Sequence, residues 1–568
     1  ADDIATEILE LTHEIEKLRE EKRFIDAEIV RVAPFGQFSF DDIAFIEGQS
    51  DKKIQFYCVK TSKTHEIEDA ESLIYIGTDY DLDYFIGIHD RPKAYPAMIE
   101  MHFERTDGEL RNHLAFVEET LHQVEAELKG YAGHIDFLRD SLLGQLDIHT
   151  LERTQKEVNF PIEDALFSIE GWVPKNKVEK LPSLIGDKAV VFDAIAIESD
   201  DKVPTYMENQ KTDRIGEDLV RIYDIPASVD KDPSRWVIWS FALFFAMILA
   251  DGGYGMLYLC LAFFLKYKMP DLKGGAKRFI KLLFILSTSC IIWGVITTSF
   301  FGLEVSPTNP LSKISVLNRI AAKKAEYHKE HKDETYKEWV KNYPAIAQAK
   351  NGKEMLIKAV KIKDGKKIYV MLNEFSDNIL LEFSLLVGVV HISLSLLRYL
   401  RRSLANIGWV SFSVGGYLYF PVFLKATSII VFMGWISPTT AGMMGKQLLL
   451  AGGGLAIVLA LIQKRLKGLG EITQIIQVFA DILSYLRLYA LALASVIMSR
   501  TFNDMGTAVG LIGGSFIIII GQSMTLLLGT MSGIVHGLRL NFIEWYHWSF
   551  EGEGKLFNPL RRLRIKQE

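Results

Sequence analysis

The sequence predicts a polytopic α-helical membrane domain of about eight spans, two of them long. To this is joined a soluble dumbbell of two small α/β lobes linked by an antiparallel coiled coil. Three observations carry that fold class. The 568 residues average 49% hydrophobic and 24% charged, yet charge is concentrated before residue 234 and apolar runs dominate after it, so the chain reads as one soluble and one membrane region. Two long stretches of the soluble half repeat apolar residues at steps of three and four. Finally, two long apolar segments between Glu471 and Trp548 each hold an arginine, Arg487 in SYLRLYALALAS and Arg539 in VHGLRLNFIEW.

The soluble half is taken as residues 1–233. Ile4, Ile8, Leu11, Ile15 and Leu18 form a seam with Glu and Lys between them, the pattern of a coiled coil. Its partner is a helix over about 103–146, and two such helices separated by a short intervening lobe pair most simply antiparallel. Between them IQFYCVK (54–60), SLIYIGT (72–78) and DYFIGIHD (83–90) read as strands of a distal α/β lobe spanning 48–98. ALFSIEGWVP (165–174), a helix near 175–184 and AVVFDAIAI (189–197) suggest a proximal lobe over 160–200. The plainer alternative is a generic helical spacer. No cleavable signal peptide is visible; the chain opens inside a helical charge pattern without Met, and the expectation is that further residues precede it.

The first apolar run, 236–268, is too long for one ordinary span and is interrupted at Asp251-Gly252-Gly253-Tyr254-Gly255. Two short spans around that break, with six more at about 279–302, 378–399, 407–436, 447–463, 472–503 and 509–548, give eight. The basic clusters at 266–281, 398–402, 463–467 and 561–566 then share one face with the soluble half, which the positive-inside rule makes cytoplasmic. The Lys-rich insertion 303–377, helical around 318–350, falls on the other face, and 550–568 forms a cytoplasmic basic tail.

The net charge of −7 carries little information because charges lie in blocks, and Cys58, Cys260 and Cys290 show no metal-ligand spacing. A phosphate-binding loop is absent, since GMMGKQ at 442–447 has the wrong spacing. The polar residues inside spans are the informative ones. Gln474, Gln477, Asp481 and Ser484 sit at i, i+3, i+7 and i+10, and Arg487 follows one turn later. Gln522, Thr525, Gly529, Ser532, His536 and Arg539 form a second stripe. Such stripes face protein or water rather than lipid. Arginine cannot discard its proton, and a charge at the bilayer centre costs about 2.5–3.5 kcal/mol on insertion scales. The pattern suggests an aqueous path interrupted by fixed positive charge; the plain alternative is that Ser, Thr and Gln merely join helices by hydrogen bonds.

Glu544 lies five residues past Arg539, about 140° around an ideal helix. The expectation is therefore no direct pair within that helix and a place near the cytoplasmic rim. Asp251, Gly252 and Gly253 read as a helix break rather than an ion site, and His391 as a buried hydrogen-bonding partner.

SYLRLYALALA with Arg487, HGLRLNFIE with His536, Arg539 and Glu544, the ADGGYG break, and GWVPKNKVEKL at 171–181 together resemble subunit a of rotary vacuolar-type ATPases, called subunit I in prokaryotic V/A-type enzymes. The resemblance covers nearly the whole chain, departing at the N-terminus and in the insertion 303–377. It implies a non-catalytic stator whose two long tilted helices pack against a rotating c-ring of proteolipid (K) subunits. Arg487 would then be the essential arginine facing the ring carboxylate, and Arg539 its companion. The two stripes with Glu544 would line the half-channels for H+ or Na+. The implied partners are the c-ring, E/G-type peripheral stalks, a d/C-type central-stalk adaptor and the lipid of a cell membrane. No cofactor, metal or nucleic acid is expected. A stand-alone secondary transporter would want internal pseudo-symmetry, which the spans lack, and a coiled-coil membrane scaffold leaves the arginines unexplained.

Overall fold

The computed structural model describes residues 1–67, 72–156, 158–162, 166–186, 190–198, 200–303, 306–363, 366–400 and 402–562. Apart from the C-terminal tail, the chain divides into two compact units, Ala1–Ile169 and Glu170–Pro559. Arg401 and most of the basic run 561–566 lie outside the described residues.

In the first unit, α1 (Asp2–Val32) is followed by α2 (Phe40–Ser50), β1 (Lys53–Lys60), β2 (Leu73–Asp79), β3 (Leu82–His89) and β4 (Ile99–Met101). Then come α3 (Asp107–Gly130), α4 (Ile135–Lys156) and a hairpin of β5 (Asn159–Ile162) and β6 (Leu166–Ser168). Leu110, Val117 and Val124 repeat every seven residues on α3 and are buried against α1. Leu11 and Ile15 meet Val124, whereas Ile25 and Val32 meet Leu110 and Val117, so the pair runs antiparallel. Thr106 and Glu109 close a reciprocal capping box that fixes where α3 starts. The antiparallel sheet has the order β2-β3-β1-β4. Phe56 and Cys58 face one apolar cluster and Tyr57 and Val59 another, the two-residue alternation of a strand covered on both sides.

Two expectations change here. The second long helix is interrupted: a 3-10 turn at Tyr131–His134, preceded by Gly130 and containing Gly133, separates α3 from α4, and α4 buries none of its residues. The second α/β lobe also differs. Residues 190–198 join no strand among the described residues. Residues 165 and 189 of its expected strands lie outside the described ones, and the division between units falls at Ile169.

The second unit opens with α5 (Leu181–Ile185), α6 (Asp213–Tyr223), α7 (Ser234–Leu249), α8 (Gly252–Lys268) and α9 (Gly274–Thr297). The insertion folds as α10 (Val316–His331), α11 (Glu334–Asn342), α12 (Gly352–Lys358) and a hairpin of β7 (Val360–Lys363) and β8 (Lys366–Tyr369). Its own core includes Leu317, Trp339, Met355 and Phe375. The remaining helices are α13 (Val370–Arg398), α14 (Ala405–Phe423), α15 (Ile429–Phe432), α16 (Pro438–Lys464), α17 (Gln474–Leu483), α18 (Leu486–Val509), α19 (Leu511–Arg539) and α20 (Tyr546–Ser549).

Among the described residues five segments are long and apolar enough to cross a membrane: α9, α13, α16, α17 with α18, and α19 through α20. The helices α7, α8 and α14, which stand where the sequence predicts further spans, are not. The apolar surface of α7 runs all round the helix; most of it is buried against α6, α9, α18 and α19, while Trp236, Trp239 and Leu243 stay exposed along one face.

The α7–α8 break falls at Ala250, in the left-handed region with φ 53°. Buried Asp251 caps α8 by accepting from Gly253 N (2.7 Å) and Tyr254 N (3.2 Å). It also accepts from Phe301 N (2.9 Å) and Gly302 N (3.0 Å) across the unit. All its contacts are backbone amides, so its work here is to tie a helix start to the turn after α9. A Cβ on Gly294 would lie 2.3 Å from Gly252 Cα, so both positions need glycine for the helices to touch.

Candidate functional site

Neither arginine sits in regular helix on both sides. Arg487 follows a break: α17 stops at Leu483, and Tyr485 N, Arg487 N and Leu488 N donate to carbonyls three residues back rather than four. The predicted stripe Gln474, Gln477, Asp481, Ser484 therefore does not continue on one axis to Arg487.

Arg539 is the last residue of α19, and a π-helical stretch, Leu540–Trp545, follows it. In a π-turn the backbone bonds span five residues, so residues five apart share a face. This overturns the expectation for Glu544. Its carboxylate oxygen Oε1 lies 3.9 Å from Arg539 Nε and 3.6 Å from Arg487 Nη1. With a side chain 4% exposed it is buried between them. The 140° estimate assumed 3.6 residues per turn, and the π-turn removes that premise. Nothing in the residues LNFIEW announces it.

One carboxylate thus faces two guanidiniums, leaving one positive charge in excess. The contacts are ion pairs without hydrogen-bond geometry. Arg487 Nη1, Glu544 Oε2 and His536 Nδ1, buried nearby on three turns of chain, have no hydrogen-bond partner among the described residues. A buried polar group left unpaired costs about 1–3 kcal/mol, so three at one place mark a site finished by something else. Arg487 and Arg539 keep 25% and 47% of their side chains exposed, so the cluster is open on one side.

The other predicted residues are not gathered there. Asp481 is buried and holds two partners, Gln477 Nε2 (2.9 Å) and Trp548 Nε1 (2.8 Å), both donating to its carboxylate. Gln474 is half-buried, and Ser484, just past the end of α17, donates back to Ala480 O, as Thr525 does to Gly521 O within α19. Gln522 belongs to a separate polar knot. Its carbonyl accepts from Tyr254 OH and Ser499 Oγ, and its amide donates to Asn503 Oδ1 (2.8 Å). It stands 17 residues before Arg539, about 25 Å along a helix at 1.5 Å per residue. Gly529 and Gly533 face Leu249 and Phe245 of α7, and Ser532 is half-buried. Within the second stripe, Thr525 and Gly529 are thus buried packing positions. Buried His391 shares a hydrogen bond of 2.6 Å with Tyr485. Among the described residues no group of three His, Cys, Asp or Glu is placed to hold a metal ion.

A bundle with five membrane-length segments among its described residues and an Arg–Glu–Arg cluster around a buried carboxylate defines an integral membrane protein that presents positive charge on its membrane-length helices. Comparison with known proteins identifies which one. The V-type ATP synthase subunit I of Chlamydia muridarum is 38% identical over 98% of this chain and 87% of that protein. Its namesake from Borreliella burgdorferi is 25% identical over 99% of the chain and 87% of its own length. The A-type ATP synthase subunit I of Methanocaldococcus jannaschii is 25% identical over 88% and 72%. No family model matches the chain. The chain belongs to the V-type and A-type ATP synthase subunit I family and is a non-catalytic membrane subunit of that rotary complex.

Proposed function

We propose that this chain is the ion-guiding stator of its complex, with Arg487 as the residue that works against a carboxylate on a rotating c-ring. The observation that carries this reading is the open Arg487–Glu544–Arg539 cluster, with one excess positive charge and unpartnered buried polar atoms. A ring carboxylate arriving beside Arg487 is favoured in its ionised form and so releases its H+ or Na+. Glu544 balances one guanidinium and leaves the other charge for the ring. The same charge opposes ion leakage past the site, and each elementary charge that crosses is worth about 2.3 kcal/mol per 100 mV.

Around that site we place eight crossings, the five membrane-length segments plus α7, α8 and α14. This puts the soluble half and the C-terminus on the cytoplasmic face by the positive-inside rule and the insertion on the opposite face. The soluble half would anchor E/G-type peripheral stalks, and a d/C-type adaptor would connect the ring to the central stalk. Half-channels would reach the cluster from both faces, lined by residues of α17, α18 and α19.

The test is Arg487→Ala in membranes containing the whole complex. ATP-driven ion uptake should vanish while ATP hydrolysis persists. Normal pumping by that variant would overturn the assignment.

A further inference from the structure

We propose that α13 positions the arginine–glutamate pair through a single stripe, Gly388, His391, Ser395 and Arg398, with His391 as its central positioning residue. The proposal rests on the reading of Arg487 as the working residue. The four positions are spaced i, i+3, i+7 and i+10, one face of a helix. That face meets both irregular stretches of backbone on which the charges stand.

On one side is Tyr485, fully buried and two residues before Arg487, within the break between α17 and α18. His391 Nδ1 lies 2.6 Å from its hydroxyl. A Cβ on Gly388 would come within 2.8 Å of its ring, so glycine lets the ring lie directly against α13. On the other side is Trp545, 2% exposed and next to Glu544 in the π-turn. Its ring stacks on His391 at 5.6 Å and 17°, its carbonyl accepts from Ser395 Oγ at 2.7 Å, and the Arg398 guanidinium sits 5.3 Å over its ring. Arg398 is itself moored, donating to the carbonyls of Lys231 and Asp232. Of the four stripe residues, His391 is the one that touches both anchors.

The physical need is clear. Arg487 and Glu544 are 3.6 Å apart without a hydrogen bond between them, so their own attraction does not set their geometry. Each is carried by backbone that has left the regular four-residue ladder, and such stretches persist only where surrounding structure determines them. The stripe on α13 supplies that determination to both at once.

The test uses intact complex in membrane vesicles and reads ions pumped per ATP hydrolysed, alongside the amount of this chain assembled. His391→Phe keeps a ring against Trp545 but loses the bond to Tyr485; Tyr485→Phe removes the same bond from the other side. Each should lower the coupling ratio roughly three- to tenfold, the range of one hydrogen bond, with assembly unchanged. The double variant should be no worse than either single one, because both delete one contact. His391→Gln, which can still bond the Tyr485 hydroxyl, should recover part of the loss. Normal coupling in Tyr485→Phe overturns the proposal, as does failure of Tyr485→Phe to assemble, which would make the contact one of folding. Arg487→Ala run in parallel separates the two claims. If it is inactive while both brace variants pump normally, only the brace falls.

Discussion

Each unit of this molecule brings an arginine against a glutamate from a distant stretch of chain, and the better-formed of the two contacts is the more exposed. In the soluble unit, Arg19 Nη2 meets Glu125 Oε1 at 2.7 Å across α1 and α3, with the arginine side chain 59% exposed. In the membrane unit, Arg487 meets Glu544 at 3.6 Å with the carboxylate 4% exposed. The first pair has good geometry in water, where exposed pairs contribute about 0–1 kcal/mol, and it flanks an apolar seam of Leu110, Val117 and Val124 that holds the helices without it. The second has poor geometry where water is scarce, and removing one member of a buried pair costs about 3–5 kcal/mol. Distance ranks the surface pair first; burial and the count of unpaired atoms rank the membrane pair first, and the proposed function needs the second order.

The comparison breaks most visibly at Glu544. Glu544→Gln keeps the shape and removes the carboxylate shared by the two arginines, and it should lower ATP-driven ion uptake by at least about tenfold, a loss near 1.4 kcal/mol. Uptake in vesicles at unchanged hydrolysis is the measurement. A variant that pumps normally would place the buried pair beside the surface one. A smaller effect is expected from Arg539→Ala. Its contact with Glu544 is longer, at 3.9 Å, and its side chain is 47% exposed, so water replaces part of what is lost. The expected result is a partial fall in uptake, measurably above Arg487→Ala. An equal loss in the two would show that exposure does not grade these contacts.

What the sequence made legible follows from which forces are local. The three- and four-residue steps of the first helix, the apolar runs at 54–60 and 83–90 and the break at Asp251 rest on neighbours a few residues apart, and α1, β1, β3 and the start of α8 stand close to where those patterns fall. The arginines were conspicuous because a charge in an apolar run is costly wherever it ends up. Glu544 was misplaced because a π-turn is a tertiary decision, held by α13 packing on Trp545, and an ideal helical repeat has no place for it. Gln522 was grouped with Arg539 on spacing alone, whereas its partners Tyr254, Ser499 and Asn503 come from other helices. Tyr485 and Trp545 left no signal, since an aromatic in an apolar run looks the same packed on lipid or on histidine. The interruption at Tyr131–His134 was readable: two glycines three residues apart inside an amphipathic pattern are a warning.

The smallest expected effect closes the comparison from the soluble side. A double-mutant cycle on Arg19→Ala and Glu125→Ala, read by hydrogen exchange of the α1 and α3 amides, should give a coupling energy under about 1 kcal/mol. The neighbouring Lys22–Glu118 pair at 2.5 Å, with side chains 36% and 50% exposed, should behave alike. Both couplings should shrink further as salt is raised from low ionic strength to 0.15 M, where the screening length is about 8 Å. The pKa of the Glu125 carboxyl is lowered chiefly by its hydrogen bond to Arg19, so what stability the pair gives is present above the ordinary carboxylate range and is lost as pH falls through the lowered value. Ion uptake per ATP should not change in either single variant. A coupling above 2 kcal/mol, or one indifferent to salt, would mean that these surface charges are shielded from water in the assembled complex, and the contrast with Arg487 would then be one of partner rather than of solvent.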